Sequence, residues 1–138
     1  MQSSKLLRRI FKKAPQVEEF LAHLQGRETI QLAGLAGCGA AMLAAEILEN
    51  CRTPLLLILP TERLVDRMVA DLREIVEPQQ VAGFPDWGMH PYSWLAPATE
   101  NVAQRLETIY RLKSNGPAII VATPDALLTP TIAPTDLE

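Results

Sequence analysis

The sequence predicts an α/β fold, a mostly parallel sheet of about four strands flanked by helices, and three observations lead there. Short strand-like runs recur at residues 29–33, 55–59, 81–84 and 118–122. Stretches between them repeat apolar residues every three or four positions, the period of an amphipathic helix. The run 55–59, LLLIL, is apolar throughout, as strands covered on both faces of a parallel sheet are. Strands that alternate with helices require crossover connections, which are right-handed almost without exception.

The first element is a helix over residues 1–14. Lys5, Arg8, Arg9, Lys12 and Lys13 fall on one face, and Leu6, Leu7, Ile10 and Phe11 fall on the other. No acid occurs before residue 14, so this segment carries +5, while the remaining 8 basic and 16 acidic residues give the body −8. An acidic body repels phosphate backbones, which leaves only this helix to touch nucleic acid. Such a face suits nucleic acid, lipid or an acidic partner; its simpler role is a solvated face beside an acidic domain. Pro15 breaks the helix, and Val17, Phe20, Leu21 and Leu24 continue at helical spacing up to Gly26.

A first strand at 29–33 leads into a glycine-rich turn and an Ala-rich helix over 40–50. The second strand, 55–59, precedes a helical stripe of Leu64, Val65, Met68, Val69, Leu72, Ile75 and Val76 that stops before Pro78. A third strand is 81–84. The helix at about 100–113 sets Val102, Leu106, Ile109 and Tyr110 on one side. A fourth strand, 118–122, is followed by Thr123 and Pro124, a good N-cap and first-turn pair. The longest apolar run is far short of the roughly 18 residues a membrane span needs, so no membrane is expected. Cys38 and Cys51 lack the spacing of a metal site or disulfide scaffold, and a reducing, cytoplasmic setting is the expectation.

The residues that should carry chemistry are Gly34, Leu35, Ala36, Gly37, Cys38, Gly39, Ala40 and Ala41. Gly34 and Gly39 have the separation of the phosphate-binding loop GxxxxGK[ST], between a strand and a helix as that loop requires. In a working loop the backbone N–H groups cradle phosphates, the lysine neutralises them and the hydroxyl holds magnesium. Here the lysine position is Ala40 and the hydroxyl position is Ala41. A hydrogen bond to a charged group contributes roughly 1.5 to 3 kcal/mol, so losing the lysine alone weakens binding about ten- to over a hundredfold. Hydrolysis is not expected, and restoring both residues should raise nucleotide affinity if the cradle keeps its shape. A less favoured dinucleotide reading takes Gly34, Ala36 and Gly39 as the glycine set and Glu62 as the ribose acid; it is weakened by Ala36, where the middle glycine is needed, and by the place of Glu62 past Pro60 in the next helix.

Residues 84–99 hold Pro85, Pro91 and Pro97 with Phe84, Trp87, Tyr92 and Trp94. Trp87, Tyr92 and Trp94 suit base stacking or partner contact. The absence of any basic residue between Arg73 and Arg105 favours structural packing instead. His23 and His90 are isolated and form no catalytic set.

LAGLAGCGAAMLAAEI, LLLILPTERLVDRMVADL, FPDWGMHPYSWLAPATENVAQRLETIYRL and IIVATPDALL, in this order, resemble the N-terminal, UvrB-like module of bacterial transcription-repair coupling factors. The resemblance runs from about residue 16 to 129, and the FPDW stretch is its most specific part. It implies a RecA-like domain over 15–129, the first part of domain 1A, with the basic helix at 1–14 before it and a Pro-rich tail or linker at 130–138. It further implies a parent that is an ATP-dependent DNA translocase, displacing stalled RNA polymerase and recruiting UvrA for excision repair. ATP and magnesium would then belong to a downstream motor, and no cofactor is expected here, since the sequence holds no DExx box. UvrB's long β-hairpin is not expected at full size in the short stretch between Phe84 and Thr99.

Overall fold

The structure, a computed structural model, describes residues 2–24, 29–51, 53–88, 98–114 and 118–131. Three parallel strands, β1 (Leu55–Ile58), β2 (Val81–Phe84) and β3 (Ile119–Ala122), form one sheet in the order β1-β3-β2. Leu55 and Val81 both sit opposite Ile119. Around the sheet lie α1 (Gln2–Lys12), α2 (Pro15–His23), α3 (Gly39–Cys51), α4 (Glu62–Arg73), α5 (Thr99–Lys113) and α6 (Pro124–Leu128), with a 3-10 turn at Pro78–Gln80. No helix among the described residues is long and apolar enough to cross a membrane.

Strand order fixes which face each helix covers. The chain steps from β1 across β3 to β2 through α4, then back to β3 through α5, so right-handed connections place α4 and α5 on opposite faces. On one face Val65, Val69 and Leu72 of α4 pack against Val81, Ile119 and Val121, with Ala41 and Ala44 of α3 closing the layer. The other face gathers Phe84 and Ala122 with Ala126 of α6, and Ile109 and Ile120 pack against them. The spacing of Val65, Val69 and Leu72 puts all three on one side of α4, and Glu62 and Arg73 at its two ends oppose the helix dipole. Gly83 leaves room on the α4 side of β2 for Val69 and for the Gln104 side chain, which reaches there from α5. A Cβ there would lie 3.3 Å from Gln104 Nε2 of α5 and 3.5 Å from Val69 Cγ2 of α4.

Residues 29–33 are not a strand, so the described sheet has three strands where the sequence predicts four. Ile30 is half-buried, Gln31, Leu32 and Ala33 are exposed, and no described strand lies beside them. Alternating Ile30 and Leu32 supply the strand pattern, but a strand also needs a neighbour to satisfy its backbone, and local sequence does not encode that. Tyr110, at the edge of the side of α5 that holds Val102, Leu106 and Ile109, is 60% exposed. Thr123 caps α6 as expected, its Oγ1 accepting from Ala126 N at 3.2 Å.

Candidate functional site

The degenerate loop keeps its turn and loses its setting. Gly34 and Gly37 adopt φ of +83° and +58°, conformations that favour glycine, with open space where their side chains would be. Gly39 N donates to Ala36 O and Met42 N to Cys38 O, both at 3.0 Å, which starts α3. No strand leads into the turn, so the strand, loop and helix context of a phosphate cradle is incomplete. Ala41, at the hydroxyl position, is 1% exposed and lies in the core with Val65 and Val69, while Ala40 is half-buried. A hydroxyl at residue 41 would therefore enter apolar packing. Leu35, Ala36 and Cys38 are exposed, and the Cys38 and Cys51 thiols are free.

The basic helix is turned differently from the expectation. Arg8 Nε lies 2.7 Å from Glu46 Oε1 and Arg8 Nη2 lies 2.7 Å from Glu49 Oε1, while Lys12 Nζ approaches Glu46 Oε2 at 3.3 Å. Arg8 also donates to the Ala45 carbonyl. Glu46 is 1% exposed, so α1 covers an acid that α3 would otherwise leave without a counter-charge. Arg9 and Lys13 stay exposed, and Leu6, Leu7 and Ile10 point to solvent at 57%, 54% and 62%. Pairing with Glu46 and Glu49 outweighs burial of this short apolar row, and two of the expected contact residues are committed within the chain. The Lys5 side chain lies outside the described residues.

Trp87 is half-buried, with its ring beside a buried arginine. Arg105, 2% exposed, places its guanidinium 4.2 Å from the Phe84 ring centroid and 5.2 Å from that of Trp87. Its Nη1 donates to the carbonyls of Pro85 at 2.8 Å and Ala126 at 3.0 Å, and its Nη2 to Thr129 O at 3.3 Å. Burial pushes the Arg105 pKa down, and the charge of Asp86 opposes that shift. Arg105 is the residue that sequence reasoning missed. Its signal was an arginine at position 105 inside the stripe Val102, Leu106 and Ile109, a charge where a helix facing a core should be apolar. Tyr92, Trp94 and His90 lie outside the described residues.

Beside this hub, a cleft of about 460 Å³ opens at the C-terminal end of β2, lined by Glu62, Asp66, Asp86 and Arg73 over Val65 and Val69. Glu62 Oε1 accepts from Asp86 N at 3.1 Å and Thr123 Oγ1 at 3.2 Å, so it ties the ends of β2 and β3 together. Asn101 Nδ2 donates to Asp86 O at 2.8 Å, and Gln104 Nε2 to Gly83 O at 3.1 Å. Three carboxylates against one guanidinium repel a phosphate, and Glu62 Oε1 is engaged as a strand tie. Among the described residues no group of three or more His, Cys, Asp or Glu is placed to hold a metal.

No family model matches the chain. It is 25% identical over 114 residues to the transcription-repair-coupling factor of Escherichia coli (strain K12). That match covers 83% of this chain and 10% of the relative, so the chain spans about a tenth of the length of the curated protein it matches.

Proposed function

We propose that the chain is a non-catalytic module of a protein related to transcription-repair coupling factors, serving as a scaffold for regulation and for recruiting UvrA in nucleotide excision repair. In this reading the parent is a cytoplasmic, ATP-dependent DNA translocase that displaces stalled RNA polymerase, with its ATP and magnesium bound by a motor elsewhere in the protein. The similarity over 83% of the chain supports the assignment. One observation carries the non-catalytic part: Ala41 stands where a phosphate loop needs a hydroxyl and is buried in the core at 1% exposure. The acidic body and the committed Arg8 and Lys12 favour protein partners over nucleic acid. Immobilised chain titrated with purified UvrA tests the recruitment role. Saturable binding that needs no ATP is expected, and no binding at micromolar UvrA contradicts it.

A further inference from the structure

Ion pairs set the rotation of α1. Arg8 and Lys12, one turn apart, reach Glu46 and Glu49 of α3. Leu6 and Ile10 precede them by two residues each, about 200° around a helix of 3.6 residues per turn, so they lie on the opposite side. Leu6, Leu7 and Ile10 are each more than half exposed. Rolling α1 over would cover this row, but it would withdraw both cations from Glu46, a buried carboxylate that needs a counter-charge. The row is thereby held outward.

One border of the row is charged. Arg9 follows Leu6 by three residues and Lys13 follows Ile10 by three, so both cations flank the same side, while Leu7 widens the other. Both are exposed, and neither makes an ion pair among the described residues. Exposed leucines scattered singly are ordinary surface. Three aliphatic side chains on one face of a helix held in fixed rotation, beside two unpaired cations, select a partner by shape and by charge.

We propose that this face of α1 docks an amphipathic helix of a separate protein, one with apolar residues every three or four positions and carboxylates along the border that meets Arg9 and Lys13. Its apolar stripe packs on Leu6, Leu7 and Ile10 while its carboxylates pair with the two cations. A second copy fits less well. α1 holds no acid to match Arg9 and Lys13, and an antiparallel two-fold pair brings those like-charged borders together. An anionic bilayer would draw the −8 body of residues 14–138 toward like charge, and nucleic acid would lay phosphates on an apolar row. An 11-residue helix offers far less than the roughly 1,200 Å² that a stable interface buries, so the contact is transient, with micromolar affinity.

The test titrates the full chain with a synthetic helical peptide of about 18 residues, five turns, that has leucine every three or four positions and glutamate on both borders of the leucine row. A peptide with lysine in place of each glutamate is the control. NMR shifts of the Leu6, Leu7 and Ile10 methyl groups report binding. Saturation in the micromolar range is expected with the glutamate peptide, and binding weaker by about tenfold with the lysine peptide. Leu6→Ser with Ile10→Ser should abolish binding at unchanged melting temperature, since both side chains are exposed. Arg9→Glu with Lys13→Glu should invert the preference, and it carries the test alone if the serine variant unfolds. No saturable binding overturns the proposal, as does equal affinity for the two peptides. Methyl shifts that change with chain concentration before peptide is added assign the face to a second copy and overturn it too, as do shifts with phosphatidylglycerol vesicles but not with the glutamate peptide, which assign it to lipid. None of these readouts involves UvrA or nucleotide, so the docking face and the proposed function fail separately.

Discussion

Arg105 Nη1 donates to the Ala126 carbonyl at 3.0 Å, joining the middle of α5 to α6 beneath the Phe84 ring. The same guanidinium reaches Pro85 O and Thr129 O, so one side chain holds three segments that are distant in sequence. Arg105→Ala leaves buried carbonyls without donors and a cavity beneath two aromatic rings. A loss of about 3 kcal/mol is expected in urea unfolding. Arg105→Lys should recover only part of it, since an ammonium lacks the planar fork that serves several carbonyls at once.

The α1 clasp is tested by a double-mutant cycle. Arg8→Ala leaves the buried Glu46 with Lys12 alone, and a destabilisation of about 2–3 kcal/mol is expected, falling in the Glu46→Gln background. Glu49 is 52% exposed, so Glu49→Gln should change stability by about 0.5 kcal/mol or less. Equal effects at Glu46 and Glu49 would contradict the burial difference.

Restoring the phosphate-loop residues should not restore binding, a reversal of the expectation from glycine spacing alone. Ala41→Thr drives a hydroxyl and a methyl into the packing around Val65 and Val69, and is expected to destabilise by about 1–3 kcal/mol. Ala40→Lys with Ala41→Thr then lowers the melting temperature without saturable ATP binding in calorimetry. A gain in affinity would show that the cradle keeps a working shape.

Trp87→Ala should leave affinity for single-stranded DNA unchanged while lowering stability, because the half-buried ring packs on Arg105. Fluorescence anisotropy with a labelled oligonucleotide checks the first part and thermal unfolding the second. A several-fold loss of DNA affinity at unchanged stability would return Trp87 to a stacking role.

Much of the fold was legible because its signals are periodic. Val65, Val69 and Leu72 announce α4, and Thr123 with Pro124 announces α6, since apolar spacing and capping act over a few residues. Pairing is not local, which is why residues 29–33 read as a strand and are not one. Charge pairing across the fold was equally hidden: Arg8 and Glu46 are 38 residues apart, and their meeting explains why Arg8 turns toward α3 while Leu6, Leu7 and Ile10 turn out. The candidate loop was legible in its missing residues, Ala40 and Ala41. That Ala41 serves the core required the packing of α3 against α4.

The most direct measurement is calorimetric titration of the full chain with ATP and magnesium, followed by a phosphate-release assay on the same sample. No saturable heat and no release above background are predicted. Micromolar affinity with measurable hydrolysis would contradict the reading of a non-catalytic scaffold.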